Sequence, residues 1–332
     1  MTTVYFVRHA EAEGNTYRRM HGQYNSLITE NGVRQIEALR ARFEGIPVDA
    51  CYARDLYRTC RTAQAVYIPK GLPLHPDRRF RETSVGCWED VPFGWLERFD
   101  KSNMDDFNHN ERVWQVTGSE MWDGYTSRFL QGLHEIAAQN DGKTIAIFTH
   151  ACVLRGVQKR LLKTDELPFC ENTAVSRLCW RDGEITFDFL NDASHLSPEI
   201  STMQRRQRLK QGATDRADYS LWFEKAPDKA ETWLAKLRSR TVGQLVLGAG
   251  DTQNSGVILD LSLDEAYRGR CFGQQLLGQA VSVLRNRGAR EIQVSVPDAN
   301  ARAAHFFAEN GFVPQTPGGA VLFKDIEVRS LP

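Results

Sequence analysis

Two compact apolar runs, far apart in the chain, each break off at a histidine. Val4-Tyr5-Phe6-Val7 leads into Arg8-His9-Ala10, and Thr144-Ile145-Ala146-Ile147-Phe148-Thr149 leads into His150-Ala151. Unbroken runs of β-branched and aromatic residues predict strands buried on both faces of a parallel sheet. Between and after them the pattern alternates. Thr29-Glu30-Asn31-Gly32 opens a helix in which Val33, Ile36, Leu39 and Phe43 recur at helical spacing. A strand follows at 48–52, a helix at 56–67, and an amphipathic helix at 120–138 through Tyr125, Phe129, Leu133 and Ile136. Strands at 174–181 and 184–190 are joined by Arg181-Asp182-Gly183, a hairpin signal. This alternation predicts an α/β fold over the first ~200 residues. In open α/β sheets the ligand lies beyond the carboxyl ends of the strands. If the two histidine strands are neighbours, His9 and His150 meet in one crevice with Arg8 between them.

Two stretches break the pattern. Residues 88–119 hold Trp88, Trp95, Trp114, several Phe and a polar stretch, and read as a long irregular insertion: a lid or specificity loop, or a separately packed excursion. Residues 198–218 include the basic run Gln204-Arg205-Arg206-Gln207-Arg208-Leu209-Lys210-Gln211. With no flanking aromatics, that run reads as a solvated interdomain helix or linker rather than a nucleic-acid patch. Beyond it, strand signals at 258–263 and 292–296 alternate with helix signals after 271 and after 300. At 332 residues the chain is long for one core and suggests two domains, at 1–197 and 219–332.

Bulk composition narrows the field. Lys+Arg and Asp+Glu are both 42, so no net charge draws the chain to nucleic acid or an anionic membrane, and neither is expected as a partner. Any anion selectivity must come from local arginines. No apolar run approaches the ~20 residues of a membrane span. The first strand begins at once, so no secretory leader is expected. Seven scattered cysteines without a Cys-x-x-Cys pair fit reduced thiols of the cytoplasm better than disulfides or a zinc site. No Asp/His cluster asks for a metal.

The candidate chemistry is phosphoryl transfer. A phosphomonoester dianion needs charge neutralisation and positioning, which guanidinium forks supply. A neutral histidine is a competent nucleophile that splits a hard hydrolysis into two easier steps. Arg8-His9-Ala10 with Asn15, the 27–32 segment with Gln35, Ala53-Arg54-Asp55-Leu56-Tyr57-Arg58, Arg81-Glu82-Thr83-Ser84, Thr149-His150-Ala151 and the 190–196 tail occur in order. In that set residues 1–197 resemble the histidine phosphatase superfamily, which includes the phosphoglycerate mutases. The resemblance implies a three-layer αβα domain with a mainly parallel sheet. It also implies His9 as nucleophile, Glu82 as general acid, His150 as transition-state donor, and Arg8, Asn15, Arg58 and Ala151 as substrate-binding residues. Taken singly, each of these has a plain structural reading; it is their joint order that carries weight. The other histidines, His21 and His195 among them, are read as structural. Two departures stand out: Ala10 replaces a usual Gly, and Trp88-Glu89-Asp90 replaces Trp-Glu-Gly. With only Arg98, Lys101 and Arg112 as bases in 88–119, transfer to water is expected rather than a mutase reaction. Arg18, Arg19, Arg79 and Arg81 either read a second anionic group on the substrate or are solvated surface.

The C-terminal part resembles the GNAT acetyltransferases, as a smaller α+β domain. Tyr267-Arg268-Gly269-Arg270-Cys271-Phe272-Gly273-Gln274 is similar to the turn-into-helix that cradles acetyl-CoA's pyrophosphate, and Asn300 opens the next helix. That resemblance implies Arg268, Gly269, Arg270, Gly273, Gln274 and Asn300 as residues binding CoA or acetyl-CoA. Cys271 departs from the pattern, and Phe307 stands where many members carry an acidic tyrosine. Three readings stay open: an active acetyltransferase with another acid, a CoA-binding regulatory module, and a packing or dimerising domain. No cofactor is expected for the phosphatase chemistry, its partner being a small phosphorylated substrate. A homodimer is left open.

Overall fold

The computed structural model describes residues 1–329 apart from Arg54 and Gln211. Arg54 of the second arginine segment, Gln211 of the basic run and residues 330–332 of the expected second domain lie outside the described residues.

The first sheet contains β1 (Thr2–Arg8), β2 (Ala50–Ala53), β3 (Leu74–Pro76), β4 (Thr144–Thr149), β5 (Val175–Arg181) and β6 (Glu184–Asp192), in the order β3-β2-β4-β1-β5-β6. β3, β2, β4 and β1 run parallel, whereas β5 pairs antiparallel with β1, and β6 antiparallel with β5. Alternation along the strands fills two cores. Val4, Phe6, Ile145 and Ile147 face α6 (Trp122–Gln139) and α7 (Ala151–Leu162). Tyr5, Val7, Ala146 and Phe148 face α2 (Glu30–Phe43) and α3 (Tyr57–Tyr67). The result is three layers, αβα. β1 and β4 pair with Arg8 opposite Thr149, so the two chains leave the sheet side by side, and the His9 amide bonds the Thr149 carbonyl at 3.0 Å. That register brings the two histidines together.

Residues 88–119 are not irregular. They form α4 (Phe93–Phe99) and α5 (Lys101–His109) around their own small core of Trp88, Leu96, Met104, Phe107 and Trp114, closed by Met20 and Val85. Each helix is short, so its apolar stripe is too brief to show in the sequence.

Of the two readings of the basic run, helix or linker, the structure has the helix, and Gln204, Gln207 and Lys210 on it are exposed. The helix is α8 (Thr202–Lys210), whose start is bonded into the first domain. The Ser201 hydroxyl and Met203 amide donate to Glu171 (2.7 and 2.9 Å), the Thr202 hydroxyl donates to Glu11 (2.7 Å), and Arg205 pairs with Glu11 at 3.2 Å. These anchors are polar and distant in sequence, which is why hydrophobic patterning missed them.

The second sheet runs β12-β13-β11-β10-β9-β8-β7, from β7 (Trp222–Lys225), β8 (Thr232–Leu237), β9 (Arg240–Ala249), β10 (Ser255–Leu263), β11 (Glu291–Ser295), β12 (Val313–Pro314) and β13 (Val321–Asp325). Only β10 and β11 are parallel, and they pair only over Ser255–Ile258. Past a bulge at Ile258/Asp260, β10 stays with β9 alone, so a wedge opens between it and β11. α9 (Phe272–Asn286) and α10 (Ala301–Glu309) complete this α+β domain.

The halves are packed together through α1 (Glu13–Tyr17), which follows the His9 loop and lies on α9. Tyr17 belongs to the second domain's hydrophobic core. It lies so close to Gly278 that a Cβ there would sit 2.4 Å from the Tyr17 Cβ, so only glycine fits. Glu13 and Arg285 form a buried ion pair at 3.1 Å across the same contact.

Candidate active site

The ends of β1 and β4 place the His9 and His150 rings with centroids 5.2 Å apart. His9 is 3% exposed and His150 wholly buried. The His9 Nδ1–H donates to the Ala10 carbonyl at 2.7 Å, which leaves Nε2 as the unprotonated, nucleophilic nitrogen. Burial first, then the Arg58 and Arg8 guanidiniums, hold the His9 pKa well below the ordinary histidine value, so the ring is neutral at pH 7. His150 is lowered well below it for the same leading reasons, burial and then Arg58. Neither His150 nitrogen has a partner among the described residues although both are buried. A buried polar group without a partner is costly, and a phosphoryl oxygen is the kind of acceptor its N–H lacks.

Glu82 is brought to the same place from the segment after β3. Its carboxylate accepts from the Val153 amide (2.9 Å), the Thr83 amide (3.0 Å) and the Cys152 amide (3.2 Å), so it caps the start of α7 directly behind His150. Burial raises its pKa above the ordinary carboxylate value, against the opposing pull of those three amides and Arg58. The helix start does not offer a row of free amides to phosphate, because Cys152 and Val153 serve Glu82 and the Leu154 amide serves the His150 carbonyl. Ala151 is the amide of that turn not taken up in this way.

The arginines are held by backbone. Arg8 donates to the Cys170 carbonyl at 2.6 Å, and Arg58 donates to the Tyr24 and Gly22 carbonyls, each at 2.7 Å. Both keep a buried Nε without a partner. Burial pushes the Arg58 guanidinium down to about 10. The Asn15 side-chain oxygen accepts from the Ala12 amide and from Asn172, which also bonds the His9 carbonyl.

Sequence reasoning passed over three supporting residues. His21, 6.4 Å from His9 between ring centroids, accepts at Nε2 from the Gly14 amide (2.8 Å) and the Ser26 hydroxyl (3.0 Å) and so braces the loop that carries Asn15. Asn172 ties that loop to β5. Arg128 on α6 donates to the carbonyls of Arg79, Arg81 and Glu82 (2.7, 2.8 and 3.0 Å), fixing the strap that presents Glu82. No spacing marks any of them, since each acts through backbone groups that only the fold brings near.

A cluster of cations around a nucleophilic imidazole, with a carboxyl held protonatable beside it, is suited to a phosphoryl group. Residues 4–193 match the histidine phosphatase superfamily (branch 1). The chain belongs to that superfamily. Residues 198–312 match the acetyltransferase (GNAT) family, so a histidine phosphatase domain is fused to a GNAT domain, and that second match takes in α8. The chain is 28% identical over 214 residues to the metal-independent phosphoserine phosphatase of Arabidopsis thaliana, covering 62% of this chain and 87% of that protein. It is 37% identical over 89 residues to the probable phosphoglycerate mutase GpmB of Proteus mirabilis, a match of 27% of this chain that spans under half, 41%, of the mutase. Among solved structures, YhfR of Bacillus stearothermophilus superposes with a TM-score of 0.57 at 27% identity, over 59% of this chain and 100% of that one.

The histidine phosphatase domain's departure at Asp90 now has a physical account. Asp90 keeps the left-handed backbone of the usual glycine (φ 60°), a conformation that costs a non-glycine residue about 1 kcal/mol. Its carboxylate accepts from Arg19 at 2.6 Å and from Ser282 of α9 at 2.5 Å, so the side chain is used at the contact with the GNAT domain.

In the GNAT domain a cavity of about 1360 Å³ lies along the wedge beside β10. Arg268, Gly269, Gly273, Gln274 and Asn300 line it, as do residues of α8. Arg270 does not: its guanidinium stacks 5.3 Å over the Phe272 ring. Cys271 takes the left-handed conformation (φ 57°) at the start of α9, which carries no side-chain cap, and Gly269 has open space where a Cβ would sit. An uncapped helix start beside an open glycine turn fits the pyrophosphate of a CoA. Asn300, however, caps α10 by accepting from the Ala303 amide (3.1 Å), and Phe307 is buried against Phe306 and Phe312.

No group of His, Cys, Asp and Glu among the described residues could hold a metal ion, and no described helix is long and apolar enough to cross a membrane.

Proposed function

We propose that the histidine phosphatase domain hydrolyses a small phosphomonoester through a phosphohistidine on His9. The His9 Nε2 lone pair attacks phosphorus while Arg8, Arg58, His150 and the Ala151 amide hold the equatorial oxygens. The P–O bond to the leaving group breaks, and Glu82 gives its proton to the departing alkoxide. The Glu82 carboxylate then takes a proton from water, the hydroxide attacks phosphorus, the P–N bond breaks, and inorganic phosphate leaves with His9 neutral again. The observation that carries this reading is the meeting of the His9 and His150 rings at 5.2 Å beside Arg8 and Arg58, which bond backbone carbonyls and are not ion-paired among the described residues.

Water rather than a second substrate is the acceptor in this reading, because the bases of the 88–119 segment are engaged. Arg98 stacks on Trp222, Lys101 pairs with Asp105, and Arg112 pairs with Asp165. The similarity to a phosphoserine phosphatase makes O-phosphoserine the first substrate to try. Seven cysteines, none of them in a disulfide among the described residues, support a reducing compartment, the cytoplasm. We place the phosphatase unit at 1–197, its connection at 198–218 and the GNAT unit beyond. In the GNAT domain Arg268, Gly269, Gly273 and Gln274 would hold CoA. In its acetylated form that group would supply an activated acyl thioester. With Phe307 buried, no proton donor is assigned there, and the domain is read as a binding module.

A panel of phosphorylated metabolites assayed with the native protein and His9→Ala tests the phosphatase reading. The native protein should release phosphate from at least one member, and His9→Ala should lose at least ~10³ of that rate. Equal release from both would overturn it.

A further inference from the structure

The wedge cavity of the GNAT domain is not built by that domain alone. At about 1360 Å³ it exceeds the roughly 300–1,000 Å³ of a site for a drug-sized ligand, so a longer molecule has room there. The glycine turn and the start of α9 line it, and so do Arg205 and Lys210 of α8 and Arg34 of α2. Side chains of the turn are engaged within their own domain, Arg268 with the Leu263 carbonyl (2.9 Å) and Gln274 with Asn310 (3.3 Å). Arg34 and Lys210 are exposed, and neither is ion-paired among the described residues. Arg205 donates to Glu11 through one nitrogen, Nη1, at 3.2 Å, which leaves Nε and Nη2 for a second acceptor.

The two helices that line this cavity also hold the segment following His9. α8 bonds Glu11 through Arg205 and Thr202, and the Glu11 carboxylate is buried. It bonds Glu171 through Ser201 and Met203, and the next residue, Asn172, donates to the His9 carbonyl (3.0 Å) and to Asn15 (3.2 Å). α9 meets α1, which carries Asn15: Tyr17 packs on Gly278, and Glu13 pairs with Arg285. The stretch from Glu11 to Tyr17 is therefore held at one end by α8 and at the other by α9.

We infer that the wedge cavity is a joint site of the two halves: Arg34, Lys210 and the free side of Arg205 take phosphates of a CoA-type ligand seated on the glycine turn, and its occupancy tightens the binding of a phosphoryl group at His9. This rests on the CoA-binding reading above and names what that binding does for the phosphatase. A ligand spanning α8 and the start of α9 restrains both helices. The segment between them then has less freedom left to lose when phosphate arrives, which is positive linkage. Linkage is reciprocal, so phosphate tightens CoA by the same factor.

Isothermal titration of the full chain at constant ionic strength tests both parts. Inorganic phosphate should bind roughly fivefold tighter or more with CoA saturating, and CoA should gain the same factor from phosphate. Hydrogen exchange of the amides from Glu11 to Tyr17 should slow when CoA binds. Arg34→Gln combined with Lys210→Gln should weaken CoA roughly tenfold, whereas Lys210→Arg, which keeps the charge, should not. Both positions are exposed, and thermal unfolding of the variants reports the fold separately. CoA affinity that the double substitution leaves unchanged overturns the joint site. Phosphate affinity that CoA leaves unchanged, weaker or undetectable overturns the linkage. In either case the CoA-binding reading survives, whereas absence of CoA binding at millimolar concentration overturns that reading and the inference together.

Discussion

The two halves of the chain present their polar groups in opposite ways. At the strand ends of the histidine phosphatase domain, His150, Arg8 and Arg58 keep buried atoms without hydrogen-bond partners among the described residues, beside a neutral His9. Along the wedge of the GNAT domain the polar groups are largely spoken for. Arg268 donates to the Leu263 carbonyl, Asn300 caps α10, Gln274 bonds Asn310, and the position of a general acid holds a buried phenylalanine. A site with unmet electrostatic demand is one arranged for charge that arrives during reaction. A site already satisfied can hold a ligand, but offers little to its chemistry. The difference sets the half proposed to react apart from the half proposed to bind more sharply than family resemblance does.

That contrast can be broken first at Glu82. Glu82→Gln should slow hydrolysis of alkyl phosphates, which have poor leaving groups, by roughly 10²–10³, with a much smaller loss on p-nitrophenyl phosphate, whose leaving group needs no proton. Steady-state kinetics with both esters decides it, and equal losses on the two would remove Glu82 from its role as acid.

The next largest effect concerns the seam. Glu13 is 3% and Arg285 15% exposed at their side chains, so Glu13→Ala leaves a buried guanidinium without its partner. Breaking such a pair costs about 3 kcal/mol or more. Thermal unfolding followed separately in each half should then show two transitions drawing apart. A single unshifted transition would mean that the halves do not depend on this contact.

The smallest effect is on pH. His9, His21 and His150 all titrate well below 6.5 in the folded chain, chiefly through burial. The unfolded chain therefore binds protons first as pH falls. Their contribution is present above about pH 6.5 and is lost below it, at up to about 1.4 kcal/mol per pH unit for each histidine. Glu82 has the opposite sign, because its raised pKa favours the folded state in acid and loses that contribution as pH rises. The melting temperature should fall steadily from pH 6.5 towards 5, and less steeply in His150→Gln. A flat profile would contradict the buried neutral histidines.

Much of the reacting half was legible in the chain. A strand buried on both faces must be a short unbroken apolar run, so the ends of β1 and β4, and with them His9 and His150, are visible as pattern. Arg58 and Glu82 are visible only through the resemblance, since a lone arginine on a helix or a lone carboxylate carries no local signal. What stayed hidden acts through backbone or over long range. His21, Asn172 and Arg128 hold loops by bonding amides and carbonyls, and α8 docks through Ser201, Thr202 and Arg205 rather than an apolar stripe. Arg206 was read as solvated because its sequence neighbours are polar. It is half-buried with its Nε out of solvent, which is a property of the fold.

The account stands or falls on where phosphate becomes covalent. Acid-labile phosphate trapped by rapid quench during turnover, with the modified peptide located by mass spectrometry, should map to Nε2 of His9 and vanish in His9→Ala. Phosphate found instead on His150, or a burst of the leaving-group alcohol with no covalent phosphate trapped, would contradict it.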